Sequence, residues 1–199
     1  MTLHTFGDSH SCHPWEEMKH ILNIPNFNHH LGSITCSFFG FQKLDLFNIK
    51  KFKVIDGDIV CFVLGEIDCR CHIYKYKEQY KEIIDKIIEN YFCVIKCNVE
   101  QFNNLITIIL SVVPPITKIK YGINPDFPVL GEDNERIMYT QYMNLKIKEK
   151  CKEYSYLFLD VYDKYCDNQG LLELSLSDGY THITNPKYMY EELVQLLKL

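Results

Sequence analysis

Apolar positions along the chain fall into short runs separated by longer stretches in which apolar and charged residues mix. Residues 2–6 are short and β-prone and enter the glycine-containing turn FGDSHS directly, and Pro14, Trp15 and Glu16 predict the first turn of a helix. Residues 31–39 (LGSITCSFF) predict a second strand. Residues 54–64 (VIDGDIVCFVL) are apolar without interruption from Ile59 and stop at Gly65, which predicts a central parallel strand buried on both faces.

From residue 76 to about 97, Ile83, Ile84, Ile87, Ile88 and Phe92 recur near helical spacing with lysine and glutamate between them, as an amphipathic crossover helix requires. Residues 105–113 (LITIILSVV) predict another strand, closed by Pro114 and Pro115. A helix over about 135–153, a short strand over 156–161 and a closing helix over about 188–197 complete the pattern. About five apolar strands alternating with helices, too far apart for hairpins, predict an α/β protein with helices on both faces of a parallel sheet, a three-layer α/β/α (flavodoxin-like) arrangement. No repeat or linker interrupts it, so residues 1–199 read as a single domain. In such sheets ligands bind beyond the carboxyl ends of the strands, which directs attention to residues 7–13, 32–40, 65–72, 114–135 and 178–186.

Composition narrows the choice of partner. With 47% hydrophobic residues the chain can build one substantial core without disulfides. A net charge of −5, with both signs interspersed, gives no reason to expect nucleic acid or an anionic membrane as partner. The nine cysteines are odd in number, and Cys36, Cys61, Cys93, Cys97 and Cys151 sit in apolar runs, which reads as reduced core thiols of a cytoplasmic protein. No basic and apolar leader opens the sequence, and no window approaches a spanning helix. The composition leaves the oligomeric state open.

Three polar turns carry the chemistry. Ser9 follows the first strand in Gly7-Asp8-Ser9-His10, where backbone N–H groups favour developing negative charge; equally, Asp8 and Ser9 read as simple caps for the helix behind them. In SDGYTH, Asp178 stands four residues before His182. A serine hydroxyl needs an imidazole to accept its proton, and the imidazole needs a carboxylate to orient it, so Ser9, His182 and Asp178 supply the three roles of a nucleophilic triad.

FGDSHS near the start, LGEIDCR after the third strand and SDGYTH near the end resemble, in order, the motif blocks of the SGNH (GDSL-like) hydrolases, and the resemblance spans almost the whole chain. It implies a serine esterase with Ser9 as nucleophile and Asp178 and His182 as its partners. It also implies an oxyanion hole formed by the Ser9 N–H, a glycine N–H after the second strand, with Gly32 as the nearest match, and an asparagine in a G-x-N-D block. Two departures stand out. The aspartate and histidine are one residue further apart than the usual D-x-x-H, and Gly65-Glu66-Ile67-Asp68 puts Ile67 where the asparagine belongs.

Losing one oxyanion donor costs about 100- to 1000-fold in turnover. Arg70, one of only two arginines, is the candidate replacement or a holder of an acidic substrate group; a salt bridge to Glu66 or Asp68 is the alternative. Asp8, His10, Glu66, Asp68 and Arg136 are candidate supporting or substrate-binding residues, and Tyr121, Phe127 and Tyr139 a candidate aromatic wall. No pair of spaced ligand pairs suggests a zinc site, and no cofactor is expected. By family analogy the substrate is a small ester, such as an O-acetylated carbohydrate. An acyltransferase, or a degenerate hydrolase that only binds glycans, stands as the alternative.

Overall fold

The computed structural model describes residues 1–118 and 125–198. Five parallel strands, β1 (Leu3–Gly7), β2 (Asn26–His30), β3 (Ile59–Val63), β4 (Ile106–Leu110) and β5 (Leu157–Leu159), form one sheet in the order β2-β1-β3-β4-β5. Around it lie α1 (Trp15–Met18), α2 (Cys36–Phe39), α3 (Tyr80–Val99), α4 (Asp133–Tyr154), α5 (Tyr162–Tyr165) and α6 (Lys187–Leu197). The chain leaves β1 for β2 on one side and returns to β3 on the other, so the crevice between the carboxyl ends of β1 and β3 is the topological switch point where such sheets bind ligands.

The unbroken apolar run of β3 has a simple cause. Val60 and Phe62 point into a core with Phe39 of α2, Ile84, Ile88 and Phe92 of α3, and Met143 and Ile147 of α4. Ile59, Cys61 and Val63 point the opposite way, onto Trp15 and Met18 of α1 and Met189 and Leu193 of α6. A central strand that meets helices on both faces has no polar position to offer. Each of these side chains contributes roughly 1.5–3 kcal/mol by leaving water. The result is the three-layer α/β/α arrangement the pattern predicts.

The second strand lies elsewhere than expected. Residues 31–39 form no strand; β2 is the preceding, polar Asn26–His30, and Cys36–Phe39 is a helical turn started by Thr35, whose hydroxyl accepts the Phe38 N–H at 2.9 Å. β2 is an edge strand with partly exposed side chains, so it never needed the apolar signature that marks a central one. The correction has a consequence for Gly32, which follows β2 instead of lying at the start of a strand. Cys93 and Cys97 are also corrected: both are exposed on α3, whereas Cys36, Cys61 and Cys151 are buried. Among the described residues no helix is long and apolar enough to cross a membrane.

Candidate active site

β1 ends at Gly7, where a side chain could not be fitted: a Cβ there would overlap the carbonyl oxygen of Val63 on the neighbouring β3. Behind this close approach the chain turns sharply. Asp8 caps the short 3-10 turn Ser9–Ser11 by accepting the His10 N–H at 2.9 Å. The Ser11 hydroxyl donates to the Asp8 carbonyl at 2.8 Å, and the Thr5 hydroxyl donates to the Ser11 carbonyl at 2.7 Å, pinning the turn to the strand that precedes it. The two readings of this turn divide between its residues. Asp8 is the cap, while Ser9, half-buried, leaves its hydroxyl free to face the far end of the chain.

What it meets there is His182. Ser9 Oγ and His182 Nε2 are 2.8 Å apart, and His182 Nδ1 and Asp178 Oδ2 are 2.7 Å apart. With Nδ1–H donating to Asp178, Nε2 is the nitrogen left to accept the serine proton. The longer Asp–His spacing is absorbed by the loop itself. Gly179 adopts a left-handed φ of 80°, the Asp178 N–H donates to the His182 carbonyl at 3.0 Å, and an antiparallel bridge joins Ser177 to Ile183. Asp178 also accepts the N–H groups of Tyr180 at 2.8 Å and His182 at 3.2 Å. Burial pushes the Asp178 carboxyl up, but the His182 contact and these N–H groups together hold it below the usual carboxylate range. The His182 imidazole is lowered from its ordinary value, first by burial and then by the charge of His10, against the opposing pull of Asp178.

His10 is built deeply into the same corner. It is buried, with Nδ1 2.9 Å from Asp8 Oδ1 and Nε2 3.0 Å from the carbonyl oxygen of Thr181, and its ring lies 4.9 Å from that of His182. Burial presses its pKa down, yet Asp8, Glu66 and the Thr181 carbonyl outweigh burial and raise it to about 9.

Gly32 stands just beyond the carboxyl end of β2, held there because the Leu31 N–H donates to the Gly7 carbonyl at 2.8 Å. This brings the loop after β2 against the turn that carries Ser9. Neither the Ser9 nor the Gly32 N–H donates to another described residue. Ile67, at the position of the missing asparagine, is buried and apolar and opens the helical segment that contains Asp68.

Asp68 reaches away from the crevice. Fully buried, it accepts the N–H groups of Cys36 at 2.5 Å and Ser37 at 3.1 Å, and burial pushes its pKa up to about 7. It does not flank the pocket; it ties the loop after β3 to the start of α2.

Both arginines are buried and ion-paired. Arg70 Nε lies 2.7 Å from Glu66 Oε1, and its guanidinium also donates to the carbonyl of Phe127. No hydrogen bond or ion pair joins it to Ser9 or His182 among the described residues, so the salt-bridge alternative is the observed one, with Glu66 as partner. Buried charges are held where they can be paired, and the i,i+4 spacing on one helical segment supplied the pair. Arg136 is fully buried and donates to the carbonyls of Leu130, Gly131 and Ile116, besides pairing with Asp133. It fastens the start of α4 to the loop after β4.

The aromatic wall is also revised. Tyr139 is fully buried against Tyr80, and Tyr121 lies outside the described residues. Phe127 does line a cleft of 440 Å³, together with Leu31, Ile34, Thr35 and Phe38. Leu31 and Phe38 face this cleft from a loop and a helical turn, where the sequence pattern predicts a strand. Among the described residues no group of three or more His, Cys, Asp or Glu side chains is arranged to hold a metal ion.

No family model and no curated protein sequence matches the chain. Solved structures do. An acetyl xylan esterase aligns over all of this chain and all of its own, with a TM-score of 0.62 at 13% identity. A carbohydrate acetylesterase from Sinorhizobium meliloti aligns over 99% of this chain and 98% of its own, with a TM-score of 0.58 at 14% identity. A GDSL-like lipase from Bacteroides thetaiotaomicron VPI-5482 aligns over 99% of this chain and 85% of its own, with a TM-score of 0.60 at 12% identity. The chain has the fold of the SGNH (GDSL-like) hydrolases.

Proposed function

We propose that the protein is a serine ester hydrolase in which Ser9 attacks the ester carbonyl. The observation that carries this reading is the unbroken contact from Ser9 through His182 to Asp178, at 2.8 and 2.7 Å, formed by residues 173 positions apart in sequence. His182 Nε2 takes the hydroxyl proton as the Ser9 oxygen bonds to carbon, then returns it to the departing alcohol. Water repeats the sequence on the acyl-enzyme, releasing the acid and regenerating Ser9. Asp178 keeps the proton on Nδ1 and stabilises the transient imidazolium.

The negative oxygen of the tetrahedral intermediate takes the N–H groups of Ser9 and Gly32. Two backbone donors without a third from a side chain predict a modest turnover, because each missing donor costs about 100- to 1000-fold. The alcohol or acyl portion occupies the cleft beside Gly32, whose apolar lining of Leu31, Ile34, Phe38 and Phe127 suits a small acyl group or the face of a sugar ring. An O-acetylated carbohydrate is the preferred substrate, a choice supported by the folds of the acetyl xylan esterase and the carbohydrate acetylesterase. An acyltransferase would use the same three residues with an alcohol in place of water. The protein acts as one unit in a reducing, cytoplasmic setting, in keeping with its free thiols.

Ile67 favours a second reading, a protein that binds glycans without cleaving them. A fluorophosphonate probe separates the two: labelling of wild type and not of Ser9→Ala, with hydrolysis of short-chain aryl esters or acetylated sugars, supports the hydrolase, and the absence of both supports the binder.

A further inference from the structure

We infer that His10 is a positioning residue that stays protonated at neutral pH: its imidazolium ties the nucleophile turn to the loop that carries His182 and holds His182 in its neutral, proton-accepting form. The inference rests on the hydrolase reading for its significance, but its structural half stands alone.

The argument begins with what each ring nitrogen of His10 touches. Nδ1 faces Asp8 Oδ1 at 2.9 Å and Nε2 faces the carbonyl oxygen of Thr181 at 3.0 Å. A carboxylate and a peptide carbonyl both accept and neither donates, so both contacts are hydrogen bonds only when both ring nitrogens carry protons. A neutral imidazole has one N–H and would set a lone pair against an oxygen at the other contact. In a buried site that mismatch is costly, and nothing else among the described residues takes up either nitrogen.

The surroundings favour the cation. Asp8 and Glu66 are both buried, and Asp8 Oδ2 and Glu66 Oε2 have no hydrogen-bond partner among the described residues. Arg70 answers the Glu66 charge through the other oxygen, which leaves Asp8 to be answered by His10. The raised pKa of His10, about 9, agrees with this charge arrangement.

Two consequences follow. Thr181 immediately precedes His182, and Asp8 immediately precedes Ser9, so the single ring of His10 joins the two loops one residue away from the reacting pair. Its charge also lies beside His182, with ring centres 4.9 Å apart; His13, on the exposed side, has its ring 5.1 Å away, and Asp178 opposes through Nδ1. A fixed positive neighbour disfavours a second one, so His182 resists protonation and stays competent as a base to lower pH.

Ring 15N NMR of histidine-labelled protein tests the inference directly between pH 5 and 8. Expected is a His10 ring with both nitrogens protonated across the range, while His182 titrates below 6.5. A His10 ring that loses a proton near 6.5 would overturn the inference, and wild type suffices to see it even where variants fold poorly. In His10→Gln, the His182 titration and the acid limb of kcat/KM should both move up by about one pH unit, since the amide keeps hydrogen-bonding capacity without charge. A fall of kcat/KM by the same factor at every pH with the limb unmoved would also overturn it. If no ester is turned over and Ser9 takes no probe, the hydrolase reading fails while the two NMR titrations still decide the state of His10.

Discussion

Asp68 accepts the Cys36 N–H at 2.5 Å across 32 positions of sequence, and in doing so fastens the loop after β3 to the loop that presents Gly32. Removing the carboxylate leaves the N–H groups of Cys36 and Ser37 without their acceptor. Asp68→Ala should therefore cost about 1–3 kcal/mol of stability, and turnover should fall with it because Gly32 loses its support. Chemical denaturation and kcat on one aryl ester measure the two effects. Stability reduced with kcat unchanged would separate this anchor from the oxyanion site.

Ser9 is half-buried and, among the described residues, its side chain bonds only to His182, so its hydroxyl contributes little to the core. Ser9→Ala should abolish fluorophosphonate labelling and lower ester turnover by several orders of magnitude, with the thermal midpoint within a few degrees of wild type. Persistent labelling of the variant would remove Ser9 from the reaction.

His182 is lowered from 6.5 by burial and the His10 charge, so kcat/KM should be flat at neutral pH and decline only as pH falls through a value below 6.5. Asp178→Asn presents an amide to Nδ1 and favours the wrong tautomer. A loss on the order of 10³- to 10⁴-fold in kcat is expected despite the longer spacing, because the contact is a close 2.7 Å. A loss under tenfold would show that the loop geometry does not matter to the chemistry.

Arg70 holds Phe127 and Glu66, not the oxyanion. Arg70→Lys should then raise KM for esters that fill the cleft beside Phe127 and lower stability, while kcat for the smallest acetyl esters changes little. A uniform fall of 100-fold or more in kcat would restore the oxyanion role.

Acid should destabilise the fold through a second histidine pair. His4 and His29 meet at 3.0 Å between β1 and β2; burial, and then the charge of His4, lower His29 to about 4, and burial lowers His4 against the pull of Asp58. Groups whose folded pKa is depressed take up protons on unfolding, so their contribution is present above 6.5 and is lost as pH falls from 6.5 toward 4. His10 acts in the opposite sense: with a folded value of about 9, its contribution is present below 6.5 and is lost as pH rises through 9. The thermal midpoint should peak near neutrality, and His29→Phe should flatten the acid side.

Much of this was legible from residue order. The apolar run from Ile59 marked a central strand because helices cover both of its faces, and the polar turns after the first strand and before the last helix bring Ser9, His182 and Asp178 together. β2 was not legible, since an edge strand of Asn26, Phe27, Asn28, His29 and His30 carries no apolar alternation. The pairing of Arg70 with Glu66 depends on the i,i+4 geometry of a helical segment after β3, which the short run of residues 66–70 does not announce. The double acceptor environment of His10 joins positions 8 and 181 and leaves no trace in local sequence.

The bridge between Ser177 and Ile183 explains why counting residues between an aspartate and its histidine is a poor guide to whether they can work together. Residue count fixes the contour length of a segment, whereas proton transfer responds to the distance across it. Once both ends of the segment are stitched to one another, an added residue swells the loop outward at Gly179 and leaves the ends where they were. Asp178 and His182 thus travel as one closed cassette, and a search that demands fixed spacing would discard a working pair on the strength of slack that never reaches the reacting atoms.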